Sequence, residues 1–375
     1  MKNLKCVSMV WTALALSLCA ADAAHELPGY VGAVTGRDGK VVFDVQGAAD
    51  LVTHRPMTPD TLFWAASNTK GVAAALMLTV VDEGKVSLDD PVEKYLPAFA
   101  DFKVADPAAP GEARPPKTRP TVRQVLSHTS GLAFFPSMPI DRWTVRELAK
   151  MAAEQPQPAD PGTVYRYSNW GIDVAMAIVE VVSGRPWNEL LQARILDPLG
   201  MKDTTFFPTE EQLARLATAY RLKDGEAPQP ILVDQFQQPY TLPTRRAEAG
   251  GGLFTTPRDF IRFLQMLAAN GVSPDGKRIL SEQAMAEWTR KQTPSGVRNN
   301  YSFGMGVNPK ERSLSHGGAY QTFGEANLRT GVARLYFVQF AGQTRASKKR
   351  ATDWLKAHGT EVRVEGQQQP GKDRK

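Results

Sequence analysis

Ser67 and Lys70 stand three residues apart in the stretch FWAASNTK, from Phe63 to Lys70. On a helix this spacing puts two side chains on one face, with Cβ atoms about 5–6 Å apart. A serine hydroxyl becomes a useful nucleophile when a neighbouring base takes its proton, and a lysine kept neutral by burial or nearby charge can be or assist that base. Further along, YRYSNWG begins at Tyr165, just after the Pro161-Gly162 turn. Tyr167 and Asn169 are therefore expected to project from a loop into a cleft. A third group, Ser315-His316-Gly317-Gly318-Ala319, falls among strand-like runs in the C-terminal part. Its glycines would let a strand edge approach a ligand closely. These residue types point to acyl transfer through a serine nucleophile.

Positioning that serine is the task of the segment that follows it. GVAAALMLTVVDEG is rich in Ala and Leu and nearly apolar all round, and it ends at Gly84. A helix of that kind is buried rather than amphipathic, and glycine suits its C-terminal cap. Placing Ser67 in the first turn would aim backbone N–H groups and the positive end of the helix dipole at the reacting centre.

Ser-x-x-Lys alone is a weak signal, since ordinary residue frequencies give roughly one chance match in a chain this long. Together, the three motifs resemble the serine β-lactamase and penicillin-binding-protein superfamily, on the side that includes class C β-lactamases, D,D-peptidases and family VIII carboxylesterases. The resemblance extends over EGKVSLDDPVEKYLPAF from Glu83, VLSHTSGL from Val125, DPLGMKDTTF from Asp197 and GGGLFTTPRDFIRFLQML from Gly250.

The resemblance implies an α+β fold, an antiparallel sheet flanked by helices with an inserted all-helical domain, and an active site in the groove between them. It implies that Ser67 attacks a carbonyl carbon to form an acyl-enzyme, with Lys70 and Tyr167 as the base system. Asn169 would orient Lys70 and substrate. The backbone N–H groups of Ser67 and Ala319 would form the oxyanion hole, with His316, Gly317 and Gly318 along the substrate. No metal or organic cofactor is implied. The antibiotic-hydrolysing members usually carry Lys-Thr-Gly or Lys-Ser-Gly where this chain has His316-Gly317-Gly318. A histidine is only partly charged near neutral pH and Gly317 supplies no hydroxyl, so an anionic β-lactam should be held less well.

The function expected is thus an esterase or amidase with at most weak β-lactam hydrolysis. A D,D-peptidase or β-lactamase is the alternative from the same residues, and a non-catalytic penicillin-binding-like sensor is the alternative from another class. Substrate choice would lie in groove loops such as 134–140 and 222–248. His316 is open between a substrate contact and a structural hydrogen-bonding role. Trp170 and Tyr320 are open between groove lining and core packing. His128 is expected to bond backbone groups, and Glu248 carries no assigned role.

Other chemistries lack their residues. No G-x-S-x-G elbow and no H-E-x-x-H occur, and the five histidines are scattered. Tyr-Ser-Asn in place of Ser-Asp-Asn argues against a class A β-lactamase. The formal charge of +6 is spread along the chain, and the Lys348-Lys349-Arg350 cluster reads as a solvated helix face rather than a nucleic-acid patch. The expected partner is a small ester, amide or β-lactam.

With 375 residues, 42% hydrophobic and 22% charged, the chain can bury a large core. Lys2, Lys5, the apolar run to Ala21 and Ala21-Asp22-Ala23 read as a signal peptide over residues 1–23, which predicts a periplasmic or secreted protein with no membrane span in the mature chain. Both cysteines, Cys6 and Cys19, lie within it, so a cleaved chain would keep none. A lipoprotein anchored through Cys19 is the alternative, disfavoured by Leu18 before it.

A hairpin is expected around Arg37-Asp38-Gly39-Lys40, and a surface loop over 106–120. Helix starts are expected at Thr121 with Gln124, Thr144 with Glu147, and Thr256-Pro257. LYFVQF, Leu335 to Phe340, reads as a central strand and Ala351 to His358 as a closing helix. The domains expected are residues 24–100 with 290–358 as the sheet part, 101–289 as a mainly helical part, and 359–375 as a loose tail.

Overall fold

The computed structural model of the chain describes residues 27–359, apart from residue 37, residues 134–142 and residues 234–244. The expected signal segment with Cys6 and Cys19, the tail from residue 360, the groove loop at 134–140 and the middle of the one at 222–248 lie outside the described residues.

β1 (Tyr30–Thr35) and β2 (Val41–Gln46) form the expected hairpin, in register from Tyr30 opposite Gln46 to Thr35 opposite Val41. β3 (Phe63–Trp64) leads through one 3-10 turn, Ala66–Asn68, into α1 (Thr69–Asp82). Every α1 residue from Thr69 to Val80 is buried, as a helix without a polar face requires. Gly84, at φ +71°, ends it, its N–H bonded to Val81 O at 2.8 Å.

α2 (Val122–Leu126) and α3 (Val145–Glu154) start at the capping boxes expected of Thr121 and Thr144. α4 (Asn169–Ser183) is capped by Ser168, whose hydroxyl accepts the Gly171 N–H at 3.3 Å, and it packs on α1. β4 (Phe254–Thr255) pairs antiparallel with β3, Phe254 opposite Trp64. This short ladder brings the chain around Gly250 alongside Ser67. α5 (Pro257–Ala268) follows at once from its Thr256 cap.

β5 (Gly306–Asn308), β6 (Ser313–Gly317), β7 (Phe323–Asn327) and β8 (Val332–Phe337) join the first hairpin in a six-stranded antiparallel sheet of order β5-β6-β7-β8-β1-β2. Early and late strands pair as expected, Val31 facing Phe337. The LYFVQF run is not one strand, because Gln339 leaves the ladder and accepts the Trp64 N–H on its side-chain oxygen at 3.3 Å. The closing helix, α6 (Arg345–Ala357), begins earlier than expected, at a capping box between Thr344 and Ser347. Lys348 and Lys349 lie on its exposed face.

The two faces of the sheet follow the strand period of two. α5 covers β1, β7 and β8 on one face, with the Phe260 and Phe337 ring centroids 5.5 Å apart. On the other face α6 lays Trp354 across Gly32, where a Cβ would come within 2.4 Å of the indole. The indole N–H donates to Asp44 Oδ2 at 2.9 Å; burial of such a ring contributes about 3 kcal/mol. The architecture is α+β, an antiparallel sheet with helices against it. Among the described residues no helix is long and apolar enough to cross a membrane.

Candidate active site

Ser67 is half-buried while Ala65, Ala66, Asn68, Thr69 and Lys70 around it are buried. It occupies the 3-10 turn rather than α1 itself, and the three-residue spacing still brings it to Lys70. Ala66 holds φ +49°, a left-handed conformation that non-glycine residues rarely adopt. The surrounding bonds impose it: Ala65 N–H to Leu253 O at 2.9 Å, Thr69 Oγ1 to Ala66 O at 2.7 Å, and Leu253 N–H to Thr69 Oγ1 at 3.2 Å.

Lys70 Nζ lies 3.2 Å from Ser67 Oγ, donates to Gly250 O, and sits 4.6 Å from the Tyr167 ring centroid. Its residue is 0% exposed. Burial pushes its ammonium down to about 7, against the opposing influence of the Glu248 and Asp173 carboxylates. The Tyr167 phenol is raised above its ordinary value by burial, which outweighs its hydrogen bond with Ser67. Near neutral pH the serine therefore faces an amine that is substantially unprotonated and a phenol that keeps its proton.

His128 is buried beneath Tyr167, ring centroids 4.6 Å apart, and its Nδ1 accepts the Ser168 N–H at 3.3 Å. Its backbone carbonyl accepts the Arg166 N–H at 2.8 Å. Burial, then the charges of Lys70 and His316, hold it far below the usual imidazole range. It shapes the Tyr-Ser-Asn turn through backbone bonds, in line with its expected role.

His316, half-buried on β6, has both ring nitrogens engaged. Nδ1 is 2.8 Å from Gly317 O, and a carbonyl only accepts, so Nδ1 donates. Nε2 then accepts from the Tyr301 hydroxyl at 3.1 Å. Burial and the Lys70 charge push this imidazole down to about 3, so it is neutral at physiological pH. Gly317 is exposed, and a Cβ there would make only an ordinary contact, with Thr322 O at 3.9 Å.

Gly318 begins a tight turn, its N–H bonded to Thr322 O at 2.6 Å and its carbonyl accepting the Gln321 N–H at 2.9 Å. Thr322 Oγ1 donates to Ala65 O at 3.0 Å, and Asn68 Nδ2 donates to Thr322 O at 3.1 Å. The turn is thereby tied against the Ser67 segment. A Cβ on Gly318 would lie 2.1 Å from Thr322 Oγ1 and 2.6 Å from Ala65 O. Among the described residues, neither the Ser67 N–H nor the Ala319 N–H has a hydrogen-bond partner.

The motifs thus converge, with differences of detail. Asn169 packs against Gly250, where a Cβ would come 2.9 Å from the asparagine Cβ. The Gly250 carbonyl, not Asn169, bonds Lys70. Trp170 and Tyr320 are 3% and 7% exposed, and the Tyr320 ring stands edge-on to Trp64 at 5.1 Å. Sequence reasoning did not find Gly250, Tyr301 or Asp173, and left Glu248 unassigned. Asp173 carried a signal, an acid inside the apolar run WGIDVAMAIV; Tyr301 carried none.

The chain matches the family model described as Beta-lactamase over residues 17–358. It is 32% identical to Penicillin-binding protein 4 of Amycolatopsis lactamdurans, covering 74% of this chain and 69% of that protein. It is 29% identical to Esterase EstB of Burkholderia gladioli over 64% of this chain and 65% of that one. The solved structure of EstCE1, described as a hydrolase with promiscuous acyltransferase activity, superposes with a TM-score of 0.73 at 22% identity, covering 88% of this chain and 93% of that one. With the model matched across nearly the whole described region and the fold in agreement, this chain belongs to the beta-lactamase family.

Proposed function

We propose that the chain is a serine hydrolase that cleaves small or uncharged esters and amides through an acyl-enzyme, with β-lactam cleavage a weak side activity at most. The observation that carries this reading is the buried Lys70 amine 3.2 Å from Ser67 Oγ. Neutral Lys70 takes the Ser67 proton as Oγ attacks the carbonyl carbon. The carbonyl electron pair moves to its oxygen, which the Ser67 and Ala319 N–H groups would receive. As the tetrahedral species collapses, the proton passes to the leaving alkoxide or amine, directly or through the Tyr167 hydroxyl. Water then attacks the acyl carbon, losing a proton to Lys70; the bond to Ser67 Oγ breaks, the carboxylic acid leaves, and Lys70 gives the proton to Oγ. Tyr167, a phenol held neutral by burial, serves as relay rather than as the base.

The preference for uncharged substrates is supported by His316, neutral and with both nitrogens bonded within the protein. The His316 ring itself then offers no positive charge to hold a carboxylate. Both an esterase and a penicillin-binding protein are among its relatives, so the D,D-peptidase reading is the one to test against it. A periplasmic or secreted location remains part of the proposal.

Gly318→Ala tests the oxyanion pair. Its methyl would force the turn off Ala65, so kcat should fall by about 10²-fold, the size of one lost oxyanion donor. An unchanged kcat in a folded variant would remove Ala319 from that role.

The deciding experiment is intact-protein mass spectrometry with a fluorophosphonate and with penicillin G, followed by a substrate panel. The fluorophosphonate should leave one adduct on the Ser67 peptide, and short aryl esters should be hydrolysed faster than nitrocefin. No adduct from either reagent on folded protein would favour the non-catalytic sensor. A much faster nitrocefin reaction would favour the β-lactamase reading.

A further inference from the structure

Beneath Lys70 lies a group of charges that the proposed chemistry does not use. Asp173, one turn along α4 from Asn169, is 2% exposed, and Glu248 is 3% exposed. Asp173 accepts the backbone N–H of Ala249, while its Oδ1 has no hydrogen-bond partner among the described residues. The Glu248 carbonyl accepts the N–H groups of Gly251 at 3.3 Å and Gly252 at 2.9 Å. These bonds close the turn whose middle carbonyl, Gly250 O, receives Lys70 Nζ. Asp173 thus bonds the segment that grips the lysine through its side chain, and Glu248 belongs to that segment through its backbone.

The charged and titratable groups facing this spot come from several elements. Lys70 comes from α1, Asp173 from α4, and Arg245, Arg246 and Glu248 from the chain before β4; Tyr167, His128 and His316 lie on the Ser67 side. A carboxyl group buried in an apolar helix is costly. An asparagine at 173 would accept the Ala249 N–H equally well without that cost, so the charge itself calls for a reason.

We propose that Asp173 and Glu248 act as one buried acid pair of positioning residues beside the turn that places Gly250 O on Lys70, and that the pair supplies the negative charge that decides when the lysine releases its proton. This rests on the reading of Lys70 as the base for Ser67. Burial raises both carboxyls above their ordinary values, Asp173 to about 7 with the like charge of Glu248 contributing. Two such acids disfavour double ionisation and titrate as a unit.

The test is an NMR titration of the full chain carrying ¹³C,¹⁵N-labelled lysine, with the Lys70 signal assigned against Lys70→Arg. Removing opposite charge disfavours the ammonium, so in Asp173→Asn/Glu248→Gln the Lys70 midpoint should fall by about one pH unit or more. Each single variant should shift it less, and the acidic limb of kcat/KM should move the same way. The amides keep shape and acceptors, so a purely structural role would leave the midpoint in place. A double variant that titrates with the wild type overturns the proposal. Should the double variant not fold, by circular dichroism, Glu248→Gln decides: a downward shift supports the pair and an unchanged midpoint overturns it. The titration needs no turnover, so absence of the Ser67 adduct would defeat the hydrolase reading alone and leave this one to be judged by the midpoint.

Discussion

Ser67→Ala is expected to lower kcat/KM for a short aryl ester by about 10⁴-fold or more, the scale of deleting the nucleophile of a serine hydrolase. The substitution removes Oγ and leaves the backbone N–H of residue 67 in place. Ester binding at that position should persist, so kcat should carry the loss and KM should move little. Because Ser67 and Lys70 act as a unit, Ser67→Ala/Lys70→Met should be no slower than Ser67→Ala. Activity of the alanine variant within about tenfold of wild type would exclude Ser67 as the nucleophile.

Lys70→Met should lower kcat by about 10³-fold, within the range for loss of a positioned general base. In the wild type, kcat/KM should fall as pH drops through about 7, because protonation of Lys70 removes the acceptor for the serine proton. The methionine variant should lack that limb. Its stability should change in the opposite direction to its activity. The folded value of Lys70 lies below its ordinary 10.5, so the unfolded chain binds more protons between the two values and stability rises with pH across that window. The stabilising contribution is present above 10.5 and lost as pH falls through 7. Methionine removes the penalty, so the variant should melt at higher temperature at pH 6 than the wild type. A variant that is both inactive and less stable would instead mean that Lys70 is needed to hold the site together.

Much of this was legible in the sequence where a local rule decides the outcome. The capping boxes at Thr121 and Thr144, the glycine stop at Gly84 and the apolar helix after Ser67 each depend on residues a few positions apart. α6 starts earlier than its apolar period predicts, because Lys348 to Arg350 carry none while the Thr344 cap sets the boundary. The β8 strand is shorter than the apolar run LYFVQF predicts, because hydrophobicity does not encode the turn of Gln339 toward the Trp64 N–H. In the site, side chains named by motif spacing meet as expected at Ser67, Lys70 and Tyr167. What was not legible is what reaches them from elsewhere in the chain: the Gly250 carbonyl on Lys70 and the Tyr301 hydroxyl on His316. Those contacts depend on how β3 pairs with β4 and how β5 adjoins β6, which no short motif encodes.

The position of β1 between β2 and β8 has a consequence for how the chain matures. Val31 must wait for Phe337 to be synthesised before that edge of β1 is paired. Contacts this distant in sequence make folding slow. Until the last strands emerge from the ribosome, β1 presents an open edge where β8 will pair. The turn at Gly318, which faces Ser67, also belongs to that late segment. Catalytic competence should therefore appear only after the sheet closes, and a nascent chain halted before β6 would be an aggregation hazard without being a partial enzyme.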